Sequence, residues 1–497
     1  MSAFAILTER TVTGTIPPVH DFPLHHRFDC TVCPLVPPRA IRSGMDRMLL
    51  NEGAVPRETL SLTDSLVVVV GMIVGIGVFG TPSIVAQSAG SSFNYLALWL
   101  LGGMLTLIGA LCYAELATAL PHAGGEYHFL SRAYGRGCAL MFAWARCTVI
   151  QTGAIALVAF VYGDYAQGIV PLGPQGPAIH AGVIILIFTG INIAGTMQGR
   201  TAQQIFTAMD ILAILMLVAA GLVVAVSGGT EPPVPSALVG GNSGMLGLAM
   251  VFVLLTYGGW NEAAYLSAEL RDGKRNMVRV LVMSIVIVTV IYVLAAWAYL
   301  YVLGFEGLQK SSAIAADVMR VAFGPSGAVL IALFVCGSAI STLNATIFTG
   351  ARVYYALGRD LPWLKFFGVW SARGENPANA FLLQGAIALA LVGLGAFSRN
   401  GFKTMVEYTS PVFWLFMTMV AGSIFIFRRR DAGRALFYRV PFYPLTPMIF
   451  TATCIYMLYS SLAYTGIGAL FGAAVLLLGT PLLLLNKGTA TARGAAE

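Results

Sequence analysis

Gly71-Met-Ile-Val-Gly-Ile-Gly-Val-Phe79 decides how this chain is read. It lies inside an apolar segment running from about Leu66 to Ala86. Hydrocarbon offers no partner to a free N–H or C=O, so a spanning helix keeps every backbone bond closed. Gly71, Gly75, Gly77 and Gly80 weaken the helix where it crosses the membrane centre. A break there is tolerated only where the freed backbone is buried or lines a cavity, and secondary transporters build substrate sites that way. A second break is expected at Thr256-Tyr-Gly-Gly-Trp-Asn-Glu262. Close helix packing through small residues explains either segment alone. Two interrupted spans at corresponding positions of two halves point instead to a transport site.

Composition agrees. The 497 residues are 57% hydrophobic and 10% charged, with a mean hydropathy of +0.79. Soluble chains carry about 25% charged residues. A net charge of +7 then needs no nucleic-acid partner, because Lys and Arg in a membrane protein mostly record topology. Twelve spans are read at roughly 63–87, 93–118, 137–163, 178–197, 202–227, 244–269, 279–304, 326–352, 378–397, 405–427, 442–461 and 466–486. With both termini in the cytoplasm, the inner loops hold Arg132, Arg136, Arg200, Arg271, Lys274, Arg275, Arg279, Arg359, Lys365 and Arg373. They also hold Arg428, Arg429, Arg430, Arg434 and Arg439. The outer side receives only Lys310, Arg320, Arg399 and Lys403, as the positive-inside rule requires. The expected location is the cell membrane, of bacterial inner-membrane type, with the lipid bilayer as solvent.

Residues 1–62 are rich in Pro, His and Arg, lack a sustained apolar run, and read as a disordered cytoplasmic tail without a signal peptide. His25, His26, Cys30 and Cys33 include a Cys-x-x-Cys pair, but no second ligand pair at finger spacing follows, so no metal site is expected. Cys112, Cys138, Cys147, Cys336 and Cys454 lie in or beside spans and read as packing residues rather than a disulfide framework. Residues 63–430 form the transport core, 431–486 two further spans, and 487–497 a second cytoplasmic tail.

Four motifs in order give the chain a likeness. They are Gly71 to Phe79; Cys112-Tyr-Ala-Glu-Leu116 with Pro121-His-Ala-Gly-Gly-Glu-Tyr127 and Tyr134-Gly135; Tyr257-Gly-Gly-Trp-Asn261 with Glu269 and Lys274-Arg-Asn276; and Ser341-Thr-Leu-Asn344 through Phe348-Thr349 and Arg352 to Gly358-Arg-Asp360. Over about residues 60–430 the chain resembles the amino acid–polyamine–organocation superfamily, nearest its L-type amino acid transporter branch and bacterial amino acid permeases. The resemblance implies an all-α polytopic fold, a five-plus-five inverted repeat with spans one and six broken, and two extra C-terminal spans. It implies amino acid transport, most simply of neutral L-amino acids, by proton-coupled symport or by exchange. It also implies that the substrate α-carboxylate lies on the N–H groups of Gly75, Ile76 and Gly77, a helix N-terminus suited to an anion. The α-ammonium would lie on carbonyls of Ile73, Leu255, Thr256 and Tyr257.

The chain departs from the family at some positions. Leu255 stands where relatives often place an aromatic gate, and Phe413, before Trp414, where the L-type branch often has a polar residue. A wall of Leu255, Phe413 and Trp414 would suit a neutral side chain; plain packing is the other reading. The outer segment 164–177 has no Cys, so no disulfide-linked accessory subunit is expected.

Ionisable groups inside the membrane are costly and read as functional. Arg146 and Asp210 each lie ten residues from a cytoplasmic arginine, about 15 Å deep at about 1.5 Å per residue, and are expected to meet. Relatives often have a lysine at the position of Asp210. Asp210 is read as a proton carrier, as a cation (sodium) ligand beside Ser341 and Thr342, or as the permanent partner of Arg146. Glu262 follows the second break and is read as a titrating group, an attractor of cationic side chains, or a partner for the freed backbone. Glu115, Glu126 and Glu269 are expected at inner span ends, solvated or paired with Arg132, Arg136 or Arg271. No His-Glu-x-x-His or Gly-x-Ser-x-Gly supports an enzyme, and no organic cofactor is implied. Two alternatives remain: a polyamine or cationic amine transporter, and a membrane sensor that binds amino acids without moving them.

Overall fold

The computed structural model describes residues 62–122, 125–195, 200–228, 243–263, 273–360, 364–370, 376–398, 400–431, 436–463, 467–481 and 483. The N-terminal tail with its Cys-x-x-Cys pair, and Glu269 and Arg271, lie outside them. The first span is three helices: α1 (Leu62–Ile73), α2 (Gly77–Gly80) and α3 (Pro82–Ala89). Then come α4 (Ser92–Ala119), α5 (Gly125–Tyr134) and α6 (Arg136–Ala145), which runs through a π-helical turn (Arg146–Gln151) into α7 (Thr152–Ile169). The rest are α8 (Gly176–Ala194), α9 (Arg200–Val226), α10 (Ser243–Thr256), α11 (Gly273–Lys310), α12 (Ile314–Asp360), α13 (Ala378–Ala396), α14 (Gly401–Arg430), α15 (Leu445–Ala463) and α16 (Ile467–Leu477).

Among the described residues nine helices are long and apolar enough to cross a membrane, and the bent first span makes a tenth. The expected sixth and twelfth spans appear as α10 and α16, both too short for that test, so the described residues do not reach the expected twelve. Outward faces such as Val183, Leu186 and Ile187 on α8, or Leu212, Leu215 and Leu222 on α9, are exposed. Such apolar stripes belong against lipid rather than water.

Large contacts relate each of the first four spans to the one five places later. α3 packs on α10, α4 on α11, α7 on α12, and α8 on α13. That pattern is the one expected of two inverted halves meeting at a shared centre. The two extra C-terminal helices, α15 and α16, both pack on α14.

The two breaks cross at that centre. A Cβ on Gly77 would lie 3.1 Å from Thr256 Cα, and one on Gly259 would lie 2.3 Å from the Met72 carbonyl oxygen. Gly259 also has φ +99°, which disfavours any L side chain. The sharpest turn of the first span is not at Gly75 but at Thr81–Pro82, where the two parts meet at 61°. Pro82 has no N–H to donate and opens α3 at its first turn.

Gly259→Ala is expected to lower the thermal melting point of the purified protein and to abolish uptake in vesicles, since strain and backbone overlap both act there. A variant with wild-type melting and uptake would show that the two breaks do not touch.

Candidate functional site

At the first break, Val74 N–H still reaches the Val70 carbonyl (2.7 Å), and the chain re-enters helix at Gly77. Val74, Ile76 and Val78 are buried, while Gly75 and Gly77 are half-buried. A Cβ on Gly75 would meet nothing within 4 Å, so there is open space beside the break. Ile76 precedes the Gly77 helix in αR conformation with no side-chain cap, which leaves the first amides of that turn to another partner.

The carbonyls expected for the ammonium group already have donors. Tyr292 Oη donates to Ile73 O at 2.8 Å and to Thr256 O at 3.2 Å, and the Gly75 N–H lies within reach of the same hydroxyl oxygen. Leu255 O accepts Gly258 N–H at 2.9 Å. Each carbonyl has a second lone pair, so these bonds fix its direction without closing it. Thr81 Oγ1 and Thr256 Oγ1 add a link between the breaks at 2.7 Å. Tyr299 Oη donates to Val78 O and Tyr165 Oη to Phe79 O, each at 3.1 Å. Tyr257 itself points away and donates to Trp99 O at 3.0 Å.

Phe413 and buried Trp414 stand edge-to-face, 5.2 Å between ring centres, beside Gly258 and Trp260 of the second break. Phe413 and Trp414 line a cavity there, but neither Leu255 nor any residue of the first break lines it.

Arg146 does not meet Asp210, contrary to expectation. Its Nη2 donates to both Glu262 oxygens, at 2.9 and 3.1 Å, and its Nη1 lies 3.6 Å from Glu126 Oε2. Glu126 Oε1 accepts from Tyr113 Oη and Asn261 Nδ2, both at 2.9 Å. Glu126 is thus buried in the cluster rather than solvated beside Arg132 or Arg136. Glu115 likewise pairs with Arg428. Equal depth does not fix the direction in which a helix residue faces: α9 packs chiefly on α11 and α12, which carries Asp210 away from Arg146. Arg146 also opens the π-helical turn, a local widening common at functional sites. The carbonyls freed there, Cys147 O and Thr148 O, accept Tyr354 and Tyr408 hydroxyls. A cavity of about 40 Å³ lies against this cluster, lined by Gln151 and Phe413 among others.

Asp210 is 6% exposed, and its Oδ1 has no hydrogen-bond partner among the described residues. Ser338 lies beside it without completing a bond, one helical turn before the expected Ser341 and Thr342. Ser341 is buried and Thr342 half-buried. Asp210 and Tyr292 are close enough to interact electrostatically. No group of His, Cys, Asp or Glu suited to a metal ion occurs among the described residues.

A profile of the amino acid permease family matches residues 60–477, most of the chain. The chain belongs to the amino acid permease family. The b(0,+)-type amino acid transporter 1 of Mus musculus is 30% identical to this permease over 403 residues, 78% of this chain and 79% of that protein. The large neutral amino acids transporter small subunit 2 of Homo sapiens is 27% identical over 456 residues, 87% of this chain and 81% of that protein. Both the superfamily and its L-type branch are borne out, and the family is one of transporters rather than enzymes.

In the permease, sequence reasoning missed Tyr292 and the partners of Arg146. The signal for Tyr292 was present: Tyr292 and Tyr299 sit one heptad apart in an apolar span, and a tyrosine hydroxyl buried in a membrane needs an acceptor. Tyr292→Phe leaves two carbonyls without their donor. It is expected to destabilise by about 1–3 kcal/mol and to slow uptake; unchanged melting and uptake would show that the hydroxyl does not hold the two breaks together.

Arg146→Met leaves Glu126 buried without its cation, at an expected cost of about 3–5 kcal/mol. Glu262→Gln, at a side chain 39% exposed, is expected to cost about 1 kcal/mol or less. Adding Glu126→Gln to Arg146→Met should restore part of the loss in thermal denaturation; no restoration would mean that the cluster is not electrostatically coupled.

Proposed function

We propose that this permease moves neutral L-amino acids across the cell membrane by alternating access. The observation that carries the reading is the meeting of the two breaks, where a Gly77 helix start without a side-chain cap lies against Thr256 and a Cβ on Gly75 would meet nothing within 4 Å. Backbone donors at a helix N-terminus suit the α-carboxylate, and Ile73, Thr256 and Tyr257 carbonyls suit the α-ammonium. Such a site reads the head group common to all amino acids and leaves the side chain to the walls. Phe413 and Trp414 are apolar walls, and the relatives' names, one of them a transporter of large neutral amino acids, support the same class. A second reading, a substrate with a cationic side chain, is favoured by one observation: the Arg146 cluster holds two carboxylates against one guanidinium.

The arginine-rich ends of the helices face the cytoplasm in this reading, and both termini with them. One relative is named a small subunit. Here the outer segment 164–177 contains no Cys, so the permease works without a disulfide-linked partner. Asp210 is the candidate coupling group, by proton or by sodium, because it is a buried carboxylate that lacks a guanidinium among the described residues.

Purified permease in vesicles, supplied with labelled amino acids with and without internal amino acid at imposed pH and sodium gradients, tests all of this. Uptake of neutral amino acids is expected, driven either by internal substrate or by one gradient. Saturable binding with no uptake or counter-flow would make the protein a sensor and overturn the reading. Asp210→Asn is expected to abolish dependence on the driving ion; dependence left unchanged would exclude Asp210 from coupling.

A further inference from the structure

Glu115 frames a pocket at the arginine-rich end of the bundle whose lining includes no residue of either break. Its carboxylate is buried and accepts Arg428 Nε and Nη2, each at 2.6 Å, and the Val440 N–H at 2.7 Å. These bonds tie α4, the last turn of α14 and the segment leading into α15 around a cavity of about 260 Å³. Arg428, Arg429, Asp431 and Arg439 line it, with an apolar wall that includes Leu116 and Phe427.

The charges do not balance within the pocket. Arg428 is held by Glu115, and Asp431 by Arg430 at 3.2 Å. Arg429 and Arg439 are exposed, and among the described residues neither is paired with a carboxylate. A helix C-terminus attracts cations, which accounts for Arg428, Arg429 and Arg430. It does not account for Arg439, nine residues past the end of α14 and still lining the same cavity. Guanidinium groups match phosphate in planar, two-pronged geometry. Beside the pocket, Phe437, Phe442, Tyr443 and Leu445 are exposed, Phe442 by 82%. An aromatic fringe at the start of a spanning helix marks the depth of lipid headgroups. The pocket therefore joins surplus positive charge to apolar surface at the level where a phospholipid changes from phosphate to acyl chain.

We propose that this pocket binds an anionic phospholipid, its phosphate on Arg429 and Arg439 and its upper carbons on the wall formed by Leu116 and Phe427. The free phosphate ion shares the charge but not the apolar part, and the exposed aromatic fringe favours the lipid.

Native mass spectrometry of the full-length permease in non-ionic detergent tests this, with phosphatidylglycerol and phosphatidylcholine titrated separately. Phosphatidylglycerol should be retained at concentrations where phosphatidylcholine is lost. The Arg429→Gln/Arg439→Gln variant should need about thirtyfold more phosphatidylglycerol, and Arg429→Lys/Arg439→Lys should lose less. Equal retention of the two lipids by the unaltered protein overturns the proposal without recourse to any variant. So does an unchanged midpoint in the glutamine variant. If inorganic phosphate competes at the same midpoint as phosphatidylglycerol, the site reads a free anion and the lipid assignment falls.

Discussion

The Tyr292 hydroxyl, bonded to the Ile73 and Thr256 carbonyls, is the interaction on which the crossing of the two broken helices depends. A helix interrupted in hydrocarbon leaves carbonyls without N–H partners, and each orphan costs about 1–3 kcal/mol or more. Water satisfies such groups in soluble proteins. In the permease, side chains of neighbouring spans do so, and tyrosine suits the task because its ring is content in an apolar interior while its hydroxyl reaches the freed carbonyls. Tyr165 and Tyr299 serve the short α2 helix in the same way, and Tyr354 and Tyr408 serve the π-helical turn. One spanning helix thereby holds another helix's irregular backbone in place, which makes the interruptions stable.

The same constraint governs charge. A buried ion in low dielectric needs a partner, and the cluster of Arg146, Glu126 and Glu262 supplies it with additional bonds from Tyr113 and Asn261. That cluster joins α5, the π-helical turn and the residues just past the second break. Any movement of the second break relative to the π-helical turn must stretch it. Asp210 differs: it is buried among hydroxyl groups with no guanidinium beside it among the described residues. A carboxylate in that position is comfortable only when neutral or when a cation accompanies it.

The glycines of Gly71–Phe79 and Tyr257–Gly259 made both interruptions legible, because few other residues tolerate them and because lipid forbids them without cause. Helix positions followed from apolar length, but their ends did not: the eighth span runs Ile314–Asp360 against the 326–352 expected. The head-group atoms were legible only through likeness to the family. The pairing of Arg146 was misjudged because depth along a span can be counted from the sequence, whereas the direction a residue faces depends on which neighbours its helix chooses. Glu126 was misplaced at a solvated span end for a related reason: α5 folds back into the bundle, and no periodicity of ten residues foretells that.

What the sequence determined by itself is the class: a polytopic helical protein, broken twice, its charges biased to one side. Those properties follow from single residues and their solvent. Only the tertiary structure decided which groups meet. It set Tyr292 between the breaks, Gly259 against the Met72 carbonyl, and Arg146 with Glu262 rather than Asp210. Contacts of that kind join residues more than a hundred positions apart, and their geometry comes from helix packing, which has no local signature in the chain.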